Sequence, residues 1–240
     1  MTTSGSSSAR VTTASAPSRG VDWLLVSGFL AVAAFYVRAI FYTPIEAVQG
    51  PAQKILYVHA TSAFVALYLA FGLLGIASAL YLWLKDEKLD LVAESAAEVG
   101  LVFTSVVLVT GPLWGKPIWG AWWTWDARLT LTLFLWFLIV GYLVLRGAVE
   151  DRGMRARYSA VLGLLSIVLV PFIHLSVYLF RTMHPMPIVL KPSSPSMSPE
   201  MQWTFFPAFG AMALLFVGLL RARYRLGLLR DAVAATERER

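Results

Sequence analysis

The sequence predicts an all-α integral membrane protein with six transmembrane helices and both termini in the cytoplasm. Three observations predict it. With 58% hydrophobic and only 14% charged residues, and a mean hydropathy of +0.68, the chain is more apolar than the surface of a soluble 240-residue protein tolerates. The apolar segments are continuous rather than alternating, which selects helices over barrel strands as the way to satisfy every backbone polar group in hydrocarbon. Lys and Arg alternate in density between successive connections, as the retention of cationic loops in the cytoplasm requires.

Residues 1–20 are rich in Ser, Thr and Ala, carry Arg10 and Arg19, and have no apolar core ahead of the first span, so they read as a disordered tail rather than a signal peptide. Residues 21–225 form the membrane domain. Its spans are expected at 23–42, 57–84, 91–111, 127–145, 158–180 and 203–220, each near the ~20 residues a bilayer core demands. Residues 226–240 are expected as a cytoplasmic C-terminal tail. This topology puts fourteen of the twenty cationic residues inside and leaves Arg38, Lys54, Lys116, Arg128, Arg181 and Lys191 outside. The net charge of +6 then follows from topology, and a nucleic-acid partner is not needed to explain it. There is no cysteine, hence no thiolate metal site or thiol redox chemistry. No phosphate-cradling loop or Walker motif is present, so ATP hydrolysis by this chain is not expected. Glu94 and Glu98, one turn apart near the inner end of the third span, are expected to be solvated or paired with Lys85 or Lys88.

The unusual composition is on the outer side. The segment 112–128 holds Trp114, Trp119, Trp122, Trp123 and Trp125, five of the nine tryptophans, within twelve residues. An ordinary interfacial belt does not need this density. Two prolines and three glycines predict an irregular approach, and a helical turn over 118–125 would set Trp119, Trp122 and Trp123 on one face as a flat aromatic shelf. Such a shelf suits lipid, a quinone, a partner helix or a planar macrocycle. All three histidines fall on the same side: His59 just inside the second span, His174 in the outer third of the fifth, and His184 just beyond that span. Neutral imidazole ligates haem iron well, and two imidazoles from separate segments can hold one iron from both faces. His174 follows Pro171, where a kinked helix has a structural use for a polar side chain, so it stands second to the other two. Arg128 adjoins the shelf and is the first candidate partner for haem propionates, ahead of Lys116 and Arg181. Asp126 suits the N-cap of the fourth helix as well as it suits a cofactor role.

The run Trp114-Gly115-Lys116-Pro117-Ile118-Trp119-Gly120-Ala121-Trp122-Trp123-Thr124-Trp125-Asp126-Ala127-Arg128 resembles the tryptophan-rich signature of the haem-handling proteins of cytochrome c maturation. Gln49-Gly50, the stretch from Lys54 to His59, Pro171 to His174, Thr182-Met183-His184 and the stretch from Pro195 to Met201 extend the resemblance over roughly 20–225 to the haem exporter protein C family. That resemblance implies haem b held transiently at the outer face of a bacterial cytoplasmic membrane. It implies His59 and His184 as axial ligands, with His174 as fallback, and the tryptophans, Asp126 and Arg128 around the macrocycle. It implies delivery to a membrane-anchored, CcmE-like haem chaperone, with CcmA- and CcmB-like ABC subunits and a small CcmD-like subunit as partners. The expected role is a binding and transfer factor more than an enzyme. A permease moving haem or another amphiphile would instead require polar groups along a path through the midplane, and an electron-transfer cytochrome b would require histidine pairs deep between helices.

Overall fold

The computed structural model describes residues 20–238, so all of the expected N-terminal tail except Gly20 lies outside the described residues. The described chain is all-helical, with six helices long and apolar enough to cross a membrane. Helix α1 spans Trp23–Phe41. The second span, Pro51–Leu84, is composite: a short 3-10 turn, α2 (Leu56–Phe64), a π-helical stretch (Val65–Ala70) and α3 (Phe71–Leu84). Then follow α4 (Glu87–Trp119), α5 (Ala127–Ala148), α6 (Arg152–Leu179) and α7 (Pro199–Arg238).

An aspartate begins four of these helices. The side chains of Asp22, Asp86, Asp126 and Asp151 each accept from backbone N–H groups one to three residues into the first turn, supplying the acceptors that a helix start lacks. The expected spans come out at their sequence positions, but α4, α6 and α7 extend well beyond the apolar runs. The reason is that an apolar criterion sees only the part of a helix in hydrocarbon, whereas the aspartate caps and polar last turns lie outside it. The segment expected as a C-terminal tail is helical through Arg238, an unbroken continuation of α7.

The core is built around α3 and α4, where Phe71, Leu74, Ala96, Ala97 and Phe103 meet Leu135 and Ile139 of α5, Ile173 of α6 and Phe216 of α7. Helix α1 packs on α7 alone for most of its length. The two backbones come close because Gly28 and Gly218 carry no side chain: a Cβ on either would sit within 3 Å of a backbone Cα of the other helix. Outward, α1 and α5 leave Phe29, Leu30, Val37, Phe134, Phe137 and Val144 exposed, surface that only lipid or another membrane helix accommodates.

Charge collects at one end of the bundle, and there the pairing differs from expectation. Glu94 pairs with Arg146 at 2.8 Å rather than with Lys85 or Lys88, and Arg146 also grips Asp90 through two bonds of 2.6 and 2.9 Å. Glu98 pairs with Arg223 of the extended α7, and Arg152 pairs with Asp231. Pairs between neighbours in sequence lose here because the buried Arg146 gathers both carboxylates on the facing side of α4, while both lysines are exposed to water. Prediction: Arg146→Met, which strands two carboxylates beside a side chain only 6% exposed, lowers stability in detergent by about 3–5 kcal/mol. Adding Asp90→Asn and Glu94→Gln recovers most of the loss, read as the thermal unfolding midpoint.

Candidate functional site

At the opposite end α4 carries the tryptophan segment. The helix runs through Gly111, Pro112, Gly115 and Pro117 and stops only at Trp119, so the irregular approach expected from those residues does not occur. A span in hydrocarbon keeps the remaining hydrogen bonds because its carbonyls have no water to turn to. The glycines serve another purpose. A Cβ at Gly111 would stand 3.3 Å from His59 Cε1, and one at Gly115 would stand 2.9 Å from Trp119 Cε3. One turn apart, they recess the same face of α4, with an imidazole over one and an indole over the other. Gly120 then turns the chain with φ of 76°, its carbonyl accepting from Lys116 Nζ at 2.9 Å. Residues 121–126 are irregular, so the aromatic shelf is assembled from a helix end and an extended return rather than from a helical turn over 118–125.

This arrangement encloses a cavity of about 290 Å³ between α2, the π-helical stretch, α4, the start of α5, the end of α6 and the segment 183–190. Its volume lies near the lower bound of ligand pockets, roughly 300 Å³. All three histidines line it, together with Trp114, Trp119, Trp122, Trp123 and Arg128. Trp125 and Asp126 do not. Trp125 is 77% exposed and edges onto Trp123, and Asp126 caps α5 by accepting from Leu129 N at 3.1 Å. Among the described residues no group of three His, Cys, Asp or Glu comes together as a compact metal site.

Each histidine is held differently. His59 packs edge-on against Trp114, ring centroids 5.7 Å apart, and its Nδ1 lies 3.0 Å from Thr110 Oγ1. Trp114 in turn donates to Gln49 Oε1 at 3.0 Å. His174 Nδ1 lies 2.7 Å from the hydroxyl of Tyr68, which the π-helical stretch swings into the cavity. His184 donates from Nδ1 to the Pro185 carbonyl at 2.9 Å, and its backbone N–H bonds Thr182 Oγ1. Arg128 reaches across to α6, donating from Nε to the Ile173 carbonyl at 3.2 Å and from Nη2 to the His174 carbonyl at 2.8 Å. Trp123 lines the cavity with a buried indole N–H that finds no acceptor among the described residues. Sequence reasoning missed Tyr68 and Thr110 as site residues: each sits in an apolar run with nothing local to mark it. Gln49 carried a signal only as part of the family-like stretch.

A family model described as Heme exporter protein C matches residues 5–239. Among curated proteins, the chain is 35% identical over 195 residues to the Heme exporter protein C of Haemophilus influenzae, covering 81% of this chain and 79% of that one. It is 33% identical over 220 residues to the Heme exporter protein C of Bradyrhizobium diazoefficiens, covering 91% and 82%. A ccmC-like mitochondrial protein of Marchantia polymorpha, named for cytochrome c biosynthesis, is 35% identical over 156 residues, 65% of each chain.

His184 stands outside the membrane-spanning helices. Burial among the aromatic rings pushes its imidazole down to about 4, and the Arg128 cation beside it pushes the same way. At neutral pH the ring is therefore uncharged, with a lone pair to offer. Prediction: in the detergent-solubilised protein the His184 ring signals titrate near the depressed value, and Arg128→Gln moves the midpoint upward, toward the ~6.5 of free histidine. A midpoint unchanged by Arg128→Gln would show that the guanidinium does not act on this ring.

Proposed function

The chain belongs to the Heme exporter protein C family, and on that premise we propose that it holds haem in the tryptophan-lined cavity and presents it to a membrane-anchored haem chaperone during cytochrome c maturation. Membership itself carries a role in haem handling for cytochrome c biogenesis; the rest rests on the site. The observation that carries it is the convergence of His59 and His184, from separate elements, on one apolar aromatic cavity with a single cationic side chain in its lining. A planar iron macrocycle with carboxylates at one edge needs those things together: imidazole lone pairs for the metal, aromatic surface for the ring, and a cation with an N–H donor for the carboxylates. Arg128 and the partnerless Trp123 N–H fill the last requirement.

The arginine-rich end faces the cytoplasm in this reading, both termini lie inside, and the cavity opens on the extracytoplasmic side of a bacterial inner membrane. The chain acts by positioning the bound haem for a partner's reactive side chain, with ABC-type subunits releasing the loaded chaperone and a small membrane subunit completing the assembly. A permease is the weaker reading. Its path needs polar groups through the midplane, whereas the charged side chains of the described spans lie toward the two ends, with the Arg146 and Arg223 clusters at one and Arg128 at the other.

Two outcomes are expected for protein purified in detergent from haem-replete cells. The parent shows a low-spin haem spectrum that His59→Ala and His184→Ala each abolish or convert to high spin, while His174→Ala leaves it in place; a parent without haem sinks the proposal. Trp123→Phe weakens haem binding by about 1.5–3 kcal/mol, the size of a hydrogen bond to a charged acceptor, measured by haem titration. Equal affinity for the phenylalanine variant would remove Trp123 from the site.

A further inference from the structure

We propose that Thr110 is a positioning residue that locks His59 in its Nδ1–H form, so that Nε2 is the nitrogen offered to the iron; this rests on the haem-presenting role above. The spacing of the polar atoms supports it. Thr110 Oγ1 lies 2.7 Å from the Val106 carbonyl and 3.0 Å from His59 Nδ1. The Val106 and Val107 carbonyls, at 2.7 and 3.4 Å, can only accept, and we take the one hydroxyl hydrogen to go to the shorter Val106 contact, which leaves the Thr110 oxygen to accept. His59 Nδ1 must then be the donor. A neutral imidazole carries one N–H, so the proton at Nδ1 makes Nε2 the lone-pair nitrogen, and among the described residues no hydrogen bond engages it. The acceptor sits on α4, one residue before the glycine that gives the ring its room, so tautomer and ring position are set by the same turn of the same helix.

The other histidines show why this contact is informative. His184 gives its Nδ1 hydrogen to a backbone carbonyl, which no substitution removes. His174 faces a tyrosine hydroxyl that can donate or accept, so its tautomer is not fixed by that partner. Thr110 is thus the side chain through which ligand presentation can be altered without touching a ligand. An imidazole whose N–H is held by a partner is also a better-oriented and more basic ligand.

The test is a cycle on the full chain in detergent, read by haem titration and by the visible and electron paramagnetic resonance signatures of the bound iron. Thr110→Val, which removes the hydroxyl at nearly constant volume, is expected to weaken haem binding on the order of 10–100-fold and to shift the iron signature toward high spin. Thr110→Ser restores both. In a His59→Gly background supplied with 1-methylimidazole, Thr110→Val should have no further effect, because that ligand has no N–H to give to the hydroxyl oxygen. If valine costs as much in that background as in the parent, or if serine fails to rescue, Thr110 acts through helix packing and the proposal is overturned. Thr110→Ala gives the same reading should the valine variant not fold. A parent that binds haem while Thr110→Val leaves affinity and spectrum unchanged overturns this inference alone; a parent without haem overturns the haem-presenting role and this inference with it.

Discussion

Hydrocarbon offers no partner to a backbone N–H, a carbonyl or a charge, and the organisation of this chain depends on that constraint. At the ends of the spans, where the chain leaves hydrocarbon, an aspartate starts α1, α4, α5 and α6 and satisfies first-turn amides. The same constraint explains why Ser95, Thr104, Thr110, Ser166 and Ser176 each return their hydroxyl to a carbonyl one turn back. It also sorts charge to the two ends. At one end Arg146 and Arg223 bind carboxylates on a neighbouring helix and lock α4, α5 and α7 together; at the other Arg128 binds two main-chain carbonyls of α6. Between them the bundle is apolar and packed, which leaves the tryptophan-rich end as the place where it can open.

The cavity is made by small departures from regular helix. In the second span the π-helical stretch inserts a wider turn, which carries Tyr68 toward His174 while α3 beyond it keeps its seat in the core. In α4 the recess comes from Gly111 and Gly115, whose missing side chains admit His59 and Trp119 against the helix. Because these concessions are made inside rigid spans, His59 is held by packing on both sides. His184 hangs from the connection between α6 and α7 and is steadied by local bonds within that connection. The two rings thus reach the same cavity from a fixed wall and from a loop.

Most of this was legible in the sequence because the dominant force has a simple signature. Continuous apolar runs marked the six spans, and the histidines and tryptophans were too concentrated to be a belt. What escaped was what depends on contacts between helices. The pairing of Glu94 with Arg146 joins residues 52 apart, and nothing local favours it over Lys88. Tyr68 becomes a site residue only through the π-helical turn, and Thr110 only because α2 brings His59 alongside. Pro112 and Pro117 misled in the other direction: their local preference for breaking a helix is real in water, but the surrounding span overrides it. Asp126 had two uses open to it and is engaged in one, the cap of α5.

Arg128 joins a structural duty to a place in the cavity lining. Its Nε and Nη2 are committed to the carbonyls of Ile173 and His174, which fixes the guanidinium plane against the end of α6. Nη1 lies 3.4 Å from His184 Nδ1, but that nitrogen already gives its hydrogen to Pro185. Two donors face each other there, so Nη1 gains no acceptor from the contact. The carbonyls accept from the guanidinium but carry no charge, and among the described residues no carboxylate forms an ion pair with it, although Asp126 lies near; an anionic group entering the apolar cavity would lower the cost of that position. Lysine would serve differently: the Lys54 ammonium holds the carbonyls of Ala39, Ile40 and Thr43 and so spends all three donors, whereas the planar guanidinium of Arg128 holds two carbonyls and keeps Nη1 in a fixed direction. The rigidity that closes the end of α6 is the same rigidity that holds a positive charge ready at the cavity wall.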